Sequence, residues 1–224
     1  MARVASQHGV PAEFLALGDS YTVGEGVEAR ECWPLQLASL LRMRGIEIAD
    51  PHIIAKSGWS TDELVDAIDA ELAQGLLLPR YGLVSLQIGV NNQYRGRSAE
   101  AFATEFRYLL SRAIAFAGGH PAHVLVLSIP DWGTTTFAQA SGRDREQIAR
   151  ELDDFNREIA DACAARGVTF VDITDLTRQP EHADWLMADG LHPSVAMYAL
   201  WAERAAIGLH SSTRKPPRSD ALTR

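Results

Sequence analysis

Short apolar runs and longer amphipathic stretches take turns along the chain. Five compact runs read as strands: Glu13–Gly18, Ile46–Ala55, Tyr81–Gly89, His123–Pro130 and Val168–Ile173. The fourth, "HVLVLSIP", is almost unbroken in its apolar character, as a central parallel strand must be when both faces are covered. The second is interrupted near Pro51, which has no N–H to give to a ladder. Between and after these runs, apolar residues recur at helical spacing over Trp33–Gly45, Ser60–Gly75, Ser98–Gly119, Asp144–Gly167 and Pro193–His210. The punctuation agrees with the periodicity. Pro34 suits a first helical turn and Gly45 a stop, Ser60 and Glu63 have capping-box spacing, and Ser98 and Gly119 bracket the longest of the early helices. Strand then helix, five times over, predicts a parallel sheet covered on both faces by helices, joined by right-handed crossovers.

Length and composition narrow the picture. With 224 residues, 46% hydrophobic and 22% charged, the chain is globular in character and long enough to bury a substantial core. We expect one domain over residues 1–210 and a disordered polar tail over 211–224. A net charge of -8 argues against nucleic acid and anionic membrane surfaces as partners. No apolar stretch is long enough to span a bilayer, and "MARVASQHGVPAEF" lacks the apolar core of a signal peptide, so a cytoplasmic protein is expected. Cys32 and Cys163 have no local ligand spacing and read as small buried apolar residues.

Ligands of open parallel sheets bind at the carboxyl ends of the strands. After the first strand comes "GDSYTVGEG", with Ser20, and after the second "KSGWS", with Gly58. After the third comes "GVNNQYRG", with Asn91 and Asn92, and after the fourth "SIPDWGTTTF". The fifth is followed by a longer loop ending in "ADGLHPS", with Asp189 and His192. Singly, each of these residues reads as turn or helix-start chemistry. Together they can converge on one sheet edge, and the set has a chemical meaning. A serine becomes nucleophilic when a histidine takes its proton, the histidine needs an orienting carboxylate, and the developing oxyanion needs fixed donors. Gly58 and Ser20 offer backbone N–H groups, and Asn91 a side-chain amide. Asp189 and His192, three residues apart before a helix, can face the same groove.

These blocks resemble the GDSL, or SGNH, hydrolase family of esterases and lipases. "GDSYTVGEG" resembles its first block, with Tyr21 where leucine is common, "KSGWSTDEL" its second, "IGVNNQYRG" its third and "DGLHPS" its fifth. The resemblance implies a flavodoxin-like, three-layer α/β/α sandwich around a five-stranded parallel sheet. It also implies carboxylic ester hydrolysis through an acyl-enzyme, with no metal or organic cofactor. By residue-wise transfer, Ser20 is the nucleophile, His192 the base and Asp189 its partner, while Ser20, Gly58 and Asn91 form the oxyanion hole. The third block departs from Gly-x-Asn-Asp at Asn92, where a change in substrate contacts is the expectation.

Asp19, Tyr21, Asn92, Trp132 and Phe137 are further candidates for substrate contact, the two aromatics of the fourth loop as walls of an acyl pocket. Arg95 and Arg97 read as solvated loop residues, with recognition of an acidic substrate group as the alternative. A small-molecule ester is the expected partner, while acyl chain, alcohol and oligomeric state stay open. Two other readings compete. An acyltransferase would use the same site with an alcohol in place of water, and a phosphate- or FMN-binding module would use "GDSYTVGEG" as a cradle. The second leaves Asn91, Asp189 and His192 without a role.

Overall fold

The computed structural model describes residues 11–182 and 185–212, the last two without their side chains. The sequence-based readings of the N-terminal leader and of most of the tail therefore lie outside the described residues. Ser211 and Ser212, assigned above to the tail, continue the last helix.

In chain order the elements are β1 (Phe14–Gly18), α1 (Ser20–Val23), α2 (Trp33–Met43), β2 (His52–Ala55), α3 (Thr61–Ala73), β3 (Leu83–Gln87), α4 (Val90–Tyr94) and α5 (Ala99–Phe116). There follow β4 (Val124–Leu127), α6 (Thr136–Ser141), α7 (Arg145–Arg166), β5 (Thr169–Val171), α8 (Thr174–Thr177) and α9 (Val195–Ser212). All five strands run parallel in the order β2-β1-β3-β4-β5. α2 packs on α9, whereas α3 packs on α5 and α5 on α7, which gives the two helical layers. β1, β3 and β4 are buried along their whole length, β1 and β4 as apolar runs and β3 with Ser85 and Gln87 buried among its apolar residues. The second predicted strand contracts to His52–Ala55, after Pro51, with Ile48 making only an isolated bridge to Ala12. Helix starts follow the sequence signals. Glu63 Oε2 accepts from Ser60 N at 2.8 Å, Ser98 Oγ from Ala101 N, and Asp144 from the N–H groups of Glu146 and Gln147.

The strand order places a topological switch at β1, whose successor in sequence lies on one side and β3 on the other. The register shows what this does. Gly18, the last residue of β1, sits between Ala55 at the end of β2 and Gln87 at the end of β3. Ser20, Gly58 and Asn91 follow that row by two, three and four residues, so three distant segments leave the sheet side by side.

Candidate active site

Ser20 is the first residue of α1, and Asp19 caps that helix, its Oδ1 accepting from Tyr21 N at 3.1 Å. A first helical residue has an N–H with no intrahelical acceptor, so the turn that presents the Ser20 hydroxyl also presents a free donor. Asp19 is 1% exposed, and burial, opposed by hydrogen bonds from backbone N–H groups, raises its pKa from 3.8 to about 7.

His192 and Asp189 lie in the loop before α9. His192 Nδ1 bonds Asp189 Oδ2 at 2.5 Å, and Asp189 Oδ1 accepts from the backbone N–H groups of Leu191 and His192 at 2.9 and 3.0 Å. Burial works to raise the Asp189 carboxyl, but these hydrogen bonds outweigh it and hold the group below its ordinary value. An ionised carboxylate only accepts, so Nδ1 carries the hydrogen of this contact and the ring orientation is fixed by it. Gly190 makes the spacing possible. Its φ is 68°, and a Cβ there would collide with the Thr136 hydroxyl, which itself donates to the Gly190 carbonyl at 3.2 Å. The Tyr21 ring packs edge-on to His192, centroids 6.0 Å apart, and likewise to Trp201 at 5.8 Å. Burial foremost, then the neighbouring carboxylates Asp19, Asp131 and Asp189, push the Tyr21 hydroxyl upward, so it stays neutral.

These segments meet in one cleft of about 250 Å³. Ser20, Ser57, Gly58, Asn91 and His192 form its polar end, and Tyr21, Val90, Tyr94, Trp132, Phe137 and Leu191 its apolar wall. Asp189 stands behind His192. Asn91 Nδ2 donates one hydrogen to the Trp59 carbonyl at 2.8 Å, which fixes the amide and leaves its second hydrogen for the cleft. The Tyr94, Trp132 and Phe137 rings lie 5.4 to 6.5 Å from one another and make an aromatic wall.

Not every expected residue reaches the cleft. Asp19 and Asn92 are absent from its lining and are 1% and 0% exposed. Asn92 instead accepts from Thr61 N at 3.2 Å and donates to Thr61 Oγ1 at 2.6 Å and Glu105 Oε2 at 3.2 Å. An amide suits this position because Glu105 already supplies a carboxylate, and an aspartate would add a second. Arg95 is exposed, as a solvated loop residue should be, and Arg97 is half-buried, but both are engaged in hydrogen bonds and ion pairs with neighbouring protein groups. Arg95 bonds Gly58 O, Ser60 Oγ and Glu63, and Arg97 bonds Asp62 and Glu105. Ser57, Val90, Tyr94 and Leu191 were not singled out from the sequence. Each adjoins a residue that was, or follows it by one helical turn, and that adjacency is the signal that could have found them. Cys32 and Cys163 are free and buried; burial raises both thiols, that of Cys163 to about 12.

The five-stranded parallel sheet, its switch point and the helices on both faces define a flavodoxin-like, three-layer α/β/α architecture. The chain belongs to the GDSL-like lipase/acylhydrolase family, whose model matches residues 16–200. Solved structures agree on the fold. TesA is 20% identical with a TM-score of 0.69, over 89% of this chain and 99% of that one. The psychrotrophic esterase EstA from Pseudoalteromonas sp., solved with a monoethylphosphonate inhibitor, is 16% identical with a TM-score of 0.67, over 91% and 100%. A mutant of Axe2, an acetyl-xylooligosaccharide esterase from Geobacillus Stearmophilus, is 19% identical with a TM-score of 0.63, over 90% and 95%. Comparison with curated protein sequences finds no match. Among the described residues, no helix is long and apolar enough to cross a membrane.

Proposed function

We propose that the protein hydrolyses small carboxylic esters through an acyl-enzyme on Ser20. The observation that carries the reading is the opening of Ser20, Gly58, Asn91 and an Asp189-oriented His192 on one cleft. His192 Nε2 takes the Ser20 proton as Oγ attacks the ester carbonyl. The N–H groups of Ser20 and Gly58 and the Asn91 amide receive the oxyanion. His192 then returns the proton to the departing alcohol. Water, deprotonated by the same nitrogen, attacks the acyl-enzyme; the Ser20 Oγ–acyl bond breaks, His192 returns that proton to Oγ, and the acid leaves.

The cleft volume speaks to substrate size. At about 250 Å³ it lies below the range of roughly 300–1,000 Å³ usual for drug-sized ligands, and most of its wall is apolar. A short acyl group fits, and a long fatty chain would extend into solvent. Across a p-nitrophenyl ester series, kcat/KM should be highest for acetyl to butyryl esters and fall for decanoyl and longer ones. Absence of Ser20-dependent hydrolysis across this series and across a panel of acetylated sugars would overturn the reading.

Asn91→Ala should lower kcat by roughly 10²–10³ with little change in KM, because an oxyanion donor acts only as charge develops. A loss confined to KM would make Asn91 a ground-state binding residue instead.

A further inference from the structure

We propose that Arg95 is a positioning residue for the oxyanion hole, a conclusion that rests on the ester-hydrolase reading of the same site. Two donors of that hole come from separate loops, the Gly58 N–H after β2 and the Asn91 amide after β3. Their spacing is fixed only if something ties the loops together. At Gly58 φ is 86° and, beyond its chain neighbours, no atom lies within 4 Å of where a Cβ would stand, although Trp59 beside it packs against the core. Hydrogen bonds add the remaining ties. Ser57 Oγ donates to the Glu25 carboxylate, Asn91 Nδ2 donates to the Trp59 carbonyl at 2.8 Å, and Arg95 Nη2 donates to the Gly58 carbonyl at 2.7 Å.

Asn91 ties the two loops directly, and Arg95 adds a second tie that ends on Gly58 itself. The Arg95 backbone N–H bonds the Asn91 carbonyl at 3.0 Å while its guanidinium bonds the Gly58 carbonyl. The other arm of the fork anchors the guanidinium at the start of α3, at 2.9 Å from both Ser60 Oγ and Glu63 Oε2. A planar fork can serve a carbonyl and a carboxylate at once, which a lysine ammonium does less well. The Arg95–Glu63 pair is also a poor candidate for a pure stability device. The side chains are 42% and 40% exposed, and pairs so solvated contribute little to folding. Its geometry matters more than its charge, since small misplacements of a donor are costly to the chemical step.

Arg95→Met keeps the apolar stem and removes the donors. It should lower kcat about tenfold with KM within about twofold, and leave the thermal midpoint within about 3 °C of wild type. Affinity for a phenylboronic acid, whose tetrahedral adduct on Ser20 places an oxygen in the hole, should weaken by the same factor as kcat/KM. Arg95→Lys should recover part of the loss. Glu63→Gln, which removes the counter-charge and leaves the Gly58 contact, should keep at least half of wild-type kcat. Wild-type kcat in Arg95→Met overturns the inference. So does an equal loss in Glu63→Gln, which would place the effect in the ion pair, or a large fall in thermal midpoint, which would make Arg95 a folding residue. These failures are distinct from failure of the underlying reading, which would appear as wild-type turnover in Ser20→Ala.

Discussion

Ser20→Ala should give a folded protein that no longer hydrolyses esters, with kcat reduced by on the order of 10⁶. Folding should survive because the change is small and local. Ser20 opens a short helix, alanine is the best helix former, and the cap on that helix comes from Asp19 rather than from Ser20 itself. The loss of activity should be near complete because no neighbouring group replaces the nucleophile. Ser57 also lines the cleft, but its hydroxyl already donates to the Glu25 carboxylate. The comparison to make is steady-state kcat against the thermal midpoint of the same preparation. Substantial turnover with a normal midpoint would remove Ser20 from the mechanism.

His192→Ala should cost about as much as Ser20→Ala, and the double variant should be barely worse than either alone, because nucleophile and base act as one unit. Asp189→Ala should cost less, about 10⁴-fold. In the proposed mechanism its carboxylate orients the ring through the 2.5 Å contact to Nδ1 and steadies the imidazolium without touching the reacting atoms. If the Ser20→Ala and His192→Ala losses multiplied, the two residues would be acting independently, and the triad would fail even with both residues important.

Much of this arrangement is written in the chain. The strands are legible because a buried parallel strand must be apolar along its length. Once the strands are placed, the polar residues just beyond them mark the cleft. Ser20, Gly58 and Asn91 follow from the register at Gly18, and Asp189 and His192 from their spacing ahead of a helix. What stays hidden is what depends on partners far away in sequence. Nothing in the pattern ties Asn92 to Glu105 and Thr61, or Arg95 to the Gly58 carbonyl, so the sequence does not show what that exposed arginine bonds, and an asparagine beside Asn91 reads as a substrate contact. Asp19 misleads for a related reason, since only the fold turns it inward as a buried cap. The short helices α1, α4, α6 and α8 escape because four to six residues are too few for a periodic signal.

The central claim is that Ser20 is a nucleophile activated by His192. Mass spectrometry of the protein after treatment with a fluorophosphonate ester tests it most directly. The serine oxygen displaces fluoride at phosphorus and leaves a stable tetrahedral adduct. The expected result is one phosphonyl group per chain, mapped to the peptide carrying Ser20, absent in Ser20→Ala and formed far more slowly in His192→Ala. Labelling at another residue, or labelling of Ser20 at a rate unchanged by His192→Ala, would contradict the account.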